Sequence, residues 1–361
     1  MKRDIITEKI KKIEEYIPNT EKYSIRLDAN ESPFLPSEEI MSEFHAALDK
    51  IEFDRYPDPY ATELVESFAK YCGITPKNVI AGNGSDEIIS LICSGFIDPD
   101  DVVTVTVPDF SMYEFYSELA GGKIDKVRKD RNLKVDVGSL IDHVKKNRSK
   151  ILIFSNPCNP TGQLIYREEI ARLCKSLDET LVVVDEAYME FAGTNESVID
   201  LINETENLIV LKTLSKAFGS AAMRLGFAIS NRDLITAIRK IKSPYNVNTI
   251  SQTFGTIILR HDDEIKKNIA IIKENTKILR DNLSNGKNNL VKRVFDTETN
   301  FVFIDTGCAE NAHRITDAMH ASGIAIRCMG DSGFIRVSAG TKDETEALTR
   351  VWNSLGDEYD E

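Results

Sequence analysis

The stretch LIVLKTLSKAFGSAAMRLGFAIS, residues 208–230, sets two apolar runs on either side of a Ser-Lys pair, Ser215 and Lys216, with Arg224 ahead of the second run. Short continuous apolar runs of this kind suit strands buried on both faces, as in a parallel sheet. Lysine is ordinarily a solvated surface charge. A lysine delivered by the end of a buried strand invites a chemical explanation.

Similar runs recur upstream: DVVTVTV at 101–107, KILIFS at 150–155 and TLVVVDE at 180–186. Helical patterns such as REEIARLCKSL at 167–177 lie between them, and this alternation indicates an α/β fold with a large, doubly wound, mostly parallel sheet. After SPYNVN at 243–248 the texture changes. A helical stretch from about 251 to 284 is followed by NFVFIDTG, a helix near 311–321, the strand pair GIAIR and FIRVSAG, and a helix near 343–354. That order suits a smaller α+β domain. The expected division is an N-terminal arm at 1–35, a large domain at 36–243 and a small C-terminal domain at 244–361.

A chain of 361 residues exceeds the length at which one core usually stops growing, which agrees with two domains. The net charge is −13, and no Lys/Arg-rich block interrupts the mixture of charges. This balance argues against a nucleic-acid surface and against docking on an anionic membrane. The opening MKRDIITEKIKKIEEY has no long apolar run, so it reads as a short amphipathic helix rather than a secretory signal. No apolar run is long enough to span a bilayer. Six scattered cysteines without a C-x-x-C pair suit reduced thiols in a cytoplasmic protein, and with five histidines they indicate no metal site.

In an open α/β sheet, ligands bind beyond the carboxyl ends of the strands. Three successive strands end in Asn156-Pro157-Cys158-Asn159-Pro160-Thr161-Gly162, in Asp185-Glu186-Ala187-Tyr188, and in Thr213-Leu214-Ser215-Lys216. Singly these are a good turn, a helix cap and a helix start. Together they bring an asparagine, an acid and a lysine to one rim, which a carbonyl cofactor explains. Lysine condenses with an aldehyde, and a buried carboxylate holds a pyridine nitrogen protonated, so Lys216 and Asp185 fit those roles. A phosphate would find backbone N–H donors where GNGSDEIISLICSGF opens a helix, with Gly82, Gly84, Ser85 and Asp86 at its start. Ser215 and Arg224 add a hydroxyl and a fixed positive charge.

The chain resembles the fold-type-I pyridoxal-phosphate aminotransferases, and among them the histidinol-phosphate aminotransferases. The resemblance runs through YIP (16–18), LDANESP (27–33), RYPDP (55–59), AGNGSDEII (81–89), PDFSMY (108–113), NPCNPTG (156–162), VDEAYMEF (184–191), TLSKAF with Arg224, SPYNVN, and the arginines of IAIRCMGDSGFIRVSAGT. It implies pyridoxal 5′-phosphate carried by Lys216, with Asp185 on the pyridine nitrogen and Asn159 and Tyr188 on the ring hydroxyl oxygen. It also implies Phe110 stacked on the ring, and Ser85, Asp86, Ser215 and Arg224 on the phosphate. Tyr56 would reach that phosphate from the partner subunit of a homodimer. Tyr16 and the Asn30-Glu31 segment resemble the family's N-terminal arm that folds over the substrate, with LDANESP alternatively only a packing element. Departures include Phe110 where some relatives carry tyrosine, Cys158 where asparagine is frequent, and Ala221-Ala222 in place of an Ala-Gly step.

The implied reaction is transamination between L-histidinol phosphate and 2-oxoglutarate in histidine biosynthesis. Arg327 and Arg336 would hold the substrate phosphate from two neighbouring strands, because two guanidinium groups suit a dianion. Arg327 alternatively is a surface charge. An aromatic amino-acid aminotransferase and a threonine-phosphate decarboxylase share the same constellation, and a non-catalytic regulator module is the reading from another functional class.

Overall fold

The structure is a computed structural model and describes residues 5–11, 13, 15 and 19–357. Its strands are β1 (Ile25–Arg26), β2 (Val79–Asn83), β3 (Val102–Val107), β4 (Lys123–Arg128), β5 (Ile151–Ser155), β6 (Leu181–Asp185), β7 (Leu208–Thr213), β8 (Leu225–Ser230), β9 (Arg293–Val294), β10 (Phe301–Asp305), β11 (Ile324–Ala325), β12 (Arg327–Cys328) and β13 (Phe334–Ser338). The large sheet has the order β2-β8-β7-β6-β5-β3-β4. Every pairing in it is parallel except those of β8, which runs antiparallel to β2 and β7.

The period of two along a strand splits the core into two layers. Leu152, Phe154, Val182, Val184, Leu208 and Val210 face helices Thr62–Cys72, Val137–Asn147 and Arg167–Ser176. Their neighbours Ile151, Ile153, Val183, Ile209 and Leu211 face helices Gly84–Phe96, Met112–Ala120 and Arg232–Ile241. Burial of both faces explains why these strands read as unbroken apolar runs. Strand β4 was not singled out from sequence. It lies at the sheet edge, where KIDKVR keeps charged residues in solvent.

Packing does not change at residue 243, where the sequence texture does. Helix Thr249–Arg260 buries Phe254, Ile257 and Ile258 in the large core, and so does the first half of helix Asp262–Asn285 with Ile265, Ile269 and Ile272. The second half contributes Leu279 and Leu283 to the small core, together with Ile315, Met319 and Trp352. The two cores therefore meet within one helix. The expected helical stretch at 251–284 is itself two helices separated at His261.

The small domain holds an antiparallel sheet in the order β12-β13-β10-β9. The GIAIR segment divides between two partners: β11 pairs with β1 of the N-terminal segment, and β12 pairs with β13. Leu27 of that segment is buried in the small core. Among the described residues, no helix is long and apolar enough to cross a membrane.

Candidate active site

The carboxyl ends of parallel strands β3, β5, β6 and β7 share one rim, as does that of β2, which is parallel to β7 through the intervening β8. Because β8 runs the other way, its starting end lies at the same rim, and Arg224 immediately precedes it. A cleft of about 580 Å³ opens there. Ser85, Asp86, Phe110, Asn159, Asp185, Tyr188, Ser215, Lys216, Arg224, Asn30, Arg327 and Arg336 all line it, so the structure gathers twelve of the fourteen residues singled out from sequence. Tyr56 is not among the lining residues. It is 81% exposed and stacks on Tyr245, with ring centroids 4.6 Å apart. Tyr16 lies outside the described residues.

Asp185 ends β6 as a buried carboxylate. It accepts bonds from Tyr113 Oη at 2.8 Å and from Ala187 N at 3.0 Å. Burial dominates and pushes its pKa up to about 6, with those two hydrogen bonds pulling the other way. A carboxylate in this state favours a cationic partner inside the cleft. Tyr113 was missed because nothing in its local pattern distinguishes it from a core aromatic. Asp109 was missed too, although it follows β3 as Asp185 ends β6, and the strand-end rule reaches it.

Close backbone approach shapes the far end of the cleft. A β-carbon at Gly226 would lie 2.3 Å from Ser85 N, so glycine in β8 lets the start of helix Gly84–Phe96 sit directly against the strand. Gly84 has φ +80°, and a β-carbon there would meet Arg224 Nη2 at 2.6 Å. Arg224 Nη2 also pairs with Asp86 Oδ2 at 3.2 Å, and its Nη1 lies 3.5 Å from Ser215 Oγ. A helix N-terminus, a hydroxyl and a guanidinium thus converge on one small volume, the donor set of an anion site. Thr213 Oγ1 accepts from Ser215 N at 3.1 Å and anchors the turn that presents Lys216.

Lys216 Nζ donates to Ala29 O at 2.9 Å and stands 5.9 Å from the centroid of the Tyr188 ring. Asn30, at φ 56°, ties this wall to both domains. Its Nδ2 donates to Tyr188 Oη at 2.9 Å, its N donates to Ser338 Oγ at 2.9 Å, and its O accepts from Asn300 Nδ2 at 3.2 Å. On the small-domain side Arg327 and Arg336 are direct cross-strand partners on β12 and β13, so their side chains leave the same face. Arg336 donates to Asn159 Oδ1 at 2.5 Å and to Asp28 O at 2.8 Å, and its guanidinium lies 5.3 Å from the Phe301 ring centroid. Arg26 also lines the cleft, paired with Asp28 Oδ2 at 3.0 Å.

A ring with a basic nitrogen at Asp185, a carbonyl near Lys216 and a phosphate at the Ser85–Arg224 end fits this donor set. Arg327 and Arg336 stand side by side on the opposite wall of the cleft.

Residues 22–351 match the family model for aminotransferase class I and II. The histidinol-phosphate aminotransferase of Clostridium novyi (strain NT) is 40% identical, with 100% of this chain and 99% of that protein covered. That of Thermoanaerobacter sp. (strain X514) is 38% identical over 96% of this chain and 97% of its own length. The crystal structure of histidinol-phosphate aminotransferase from Sinorhizobium meliloti in complex with pyridoxal-5′-phosphate superposes with a TM-score of 0.90 at 24% identity, covering 99% of this chain and 98% of that one. With the cleft geometry and a match spanning both domains, the chain belongs to the class I and II aminotransferases, in the histidinol-phosphate aminotransferase family.

Proposed function

We propose that this protein transfers the amino group of L-histidinol phosphate to 2-oxoglutarate, producing imidazole-acetol phosphate and glutamate in histidine biosynthesis, with pyridoxal 5′-phosphate as cofactor. The observation that carries the reading is the pairing of Arg327 with Arg336 on one face of the small sheet, across the cleft from Lys216 and Asp185. Two guanidinium groups suit a phosphate dianion better than a lone carboxylate requires.

Bound in the cleft, the cofactor supplies an aldehyde carbon for the substrate nitrogen and an electron-withdrawing ring for the charge left when the substrate carbon loses its proton. Lys216 holds the cofactor between turnovers. Its amine, once free, would serve as the base that takes the proton from the substrate carbon. Asp185 would keep a proton on the ring nitrogen, and Tyr113 steadies that carboxylate. Asn159 and Tyr188 would hold the ring by its hydroxyl oxygen, and Phe110 would pack against it. Ser85, Asp86, Ser215 and Arg224 hold its phosphate. Asn30 borders the substrate side of the cleft. Glutamate leaves after the second half-reaction, as ping-pong chemistry requires.

We also infer a cytoplasmic homodimer in which Tyr56 completes the partner's phosphate site. The exposure of Tyr56, together with Leu35 at 88% and Phe53 at 74%, supports a surface covered by a second copy.

The deciding experiment compares histidinol phosphate, histidinol, phenylalanine and threonine phosphate on the parent and on Arg327→Ala. Each charged hydrogen bond to the phosphate is worth about 1.5–3 kcal/mol. Losing Arg327 should lower kcat/KM for histidinol phosphate roughly tenfold to a hundredfold and leave histidinol little changed. A parent that prefers phenylalanine, or that releases carbon dioxide from threonine phosphate, has the corresponding other activity.

A further inference from the structure

Behind the NPCNPTG turn lies a second cavity of about 550 Å³, bordered by Lys129, Cys158, Gln163, Phe295 and Glu298. Lys129 is an unusual lysine, with its side chain only 3% exposed. Its Nζ donates to Pro108 O at 2.6 Å, pairs with Asp109 Oδ2 at 3.3 Å, and lies 2.8 Å from Cys158 Sγ. Cys158 is itself buried and free. None of the chemistry assigned to the cleft uses either side chain. Burial pushes the Cys158 thiol up while the Lys129 contact pulls the other way, and the two groups are already in contact beside a cavity that admits small molecules, with bulky reagents kept off by burial.

We propose that Cys158 and Lys129 are a modification site, joined reversibly by peroxide as a sulfur–nitrogen cross-link that slows the enzyme. In the first step the Cys158 sulfur attacks hydrogen peroxide. A sulfur–oxygen bond forms, the oxygen–oxygen bond breaks, and water leaves with the thiol proton, giving a sulfenic acid. Asp109 then takes one proton from the Lys129 ammonium. The freed amine attacks the sulfur and the hydroxyl departs as water with the second amine proton, leaving a sulfenamide. Sulfur has been oxidised by two electrons, peroxide has become two waters, and the protein has lost two hydrogen atoms. Two thiol equivalents reverse the change, restoring thiol and amine and themselves becoming a disulfide.

The consequence runs through Asp109. Its carboxylate accepts from Phe110 N at 2.8 Å and from Ser155 Oγ at 2.5 Å, and Ser155 Oγ in turn accepts from Asn159 N at 2.9 Å. Phe110 and Asn159 both line the cleft. Once Lys129 loses its charge and Asp109 is protonated, these bonds lose their charge assistance. Turnover should fall about tenfold, the worth of one such bond.

The test treats the holoenzyme with hydrogen peroxide and follows intact mass, unreduced peptide maps and turnover. The expected result is a loss of two hydrogen atoms, one linked peptide pair containing Lys129 and Cys158, a fall in turnover, and recovery of all three with dithiothreitol. Cys158→Ser should form no link and keep its turnover in peroxide. Lys129→Arg keeps a cation but not the nucleophile, so Cys158 there should gain oxygen instead. The covalent readout is independent of which amino donor the enzyme uses. The proposal is overturned if Cys158 remains a thiol or gains only oxygen when the exposed Cys308 is fully oxidised, or if Cys158→Ser loses turnover as the parent does.

Discussion

Replacing Asp185 with asparagine separates the electrostatics of the cleft from its chemistry. In the cofactor-free protein the carboxyl is buried, and burial moves it from an ordinary value of 3.8 to about 6. Below about pH 4 the folded and unfolded chains both carry the proton, and the substitution should change little. Between pH 4 and 6 the folded chain keeps a proton that the unfolded chain has released, so stability falls as pH rises. Above about pH 6 the whole penalty is present. At about 1.4 kcal/mol per pH unit of displacement it amounts to about 3 kcal/mol. Asparagine has the same shape without the charge, and its Oδ1 still accepts from Ala187 N. Cofactor-free Asp185→Asn should therefore unfold at a higher temperature than the parent at pH 8, by roughly 5 °C for a chain of this size. The gap should close at pH 4. Turnover should fall severely, because the ring nitrogen would lose the group that keeps it protonated. Thermal unfolding of both cofactor-free proteins from pH 4 to 8 is the assay. A gap that does not depend on pH, or an asparagine variant less stable at pH 8, refutes the reasoning.

Borohydride reduction of the holoenzyme followed by peptide mapping should place the cofactor adduct on Lys216, and an adduct on another lysine would remove that assignment. Mixing Tyr56→Phe with Lys216→Ala subunits should create one intact site per hybrid dimer and restore turnover; hybrids that form without restoring it mean that Tyr56 serves its own chain. Lys212 is buried 3.2 Å from Glu186 and 2.8 Å from Glu190. Lys212→Met leaves those two carboxylates buried without their cation and should destabilise the protein by about 3–5 kcal/mol in denaturant titration, with partial recovery on adding Glu190→Gln. Gly226→Ala should push the start of helix Gly84–Phe96 off β8. An overpacking penalty of about 1–3 kcal/mol would weaken cofactor binding in a fluorescence titration, and unchanged affinity would show that the contact relaxes freely.

Local pattern carried much of the fold and most of the candidate site. Apolar runs such as ILIF and LVVV can be buried on both sides only between two helical layers, so the sheet and its functional rim are legible from order along the chain. The lysine, acid and asparagine follow directly from being at strand ends. What local pattern does not hold is direction and partnership. LGFAIS reads the same whether parallel or antiparallel, yet only its reversal in β8 brings Arg224 to the rim. Tyr113 becomes a partner of Asp185 because helix Met112–Ala120, packed against β3 and β4, carries its hydroxyl to a carboxylate seventy-two residues away in the chain. Helix Asp262–Asn285 is amphipathic throughout, and only packing shows that its two halves belong to different cores. Sequence by itself determined which residues can form buried strands and which chemistry their ends can offer. Tertiary structure decided which of those ends face one another, because burial, charge pairing and backbone approach depend on distances that the chain sets only once it is folded.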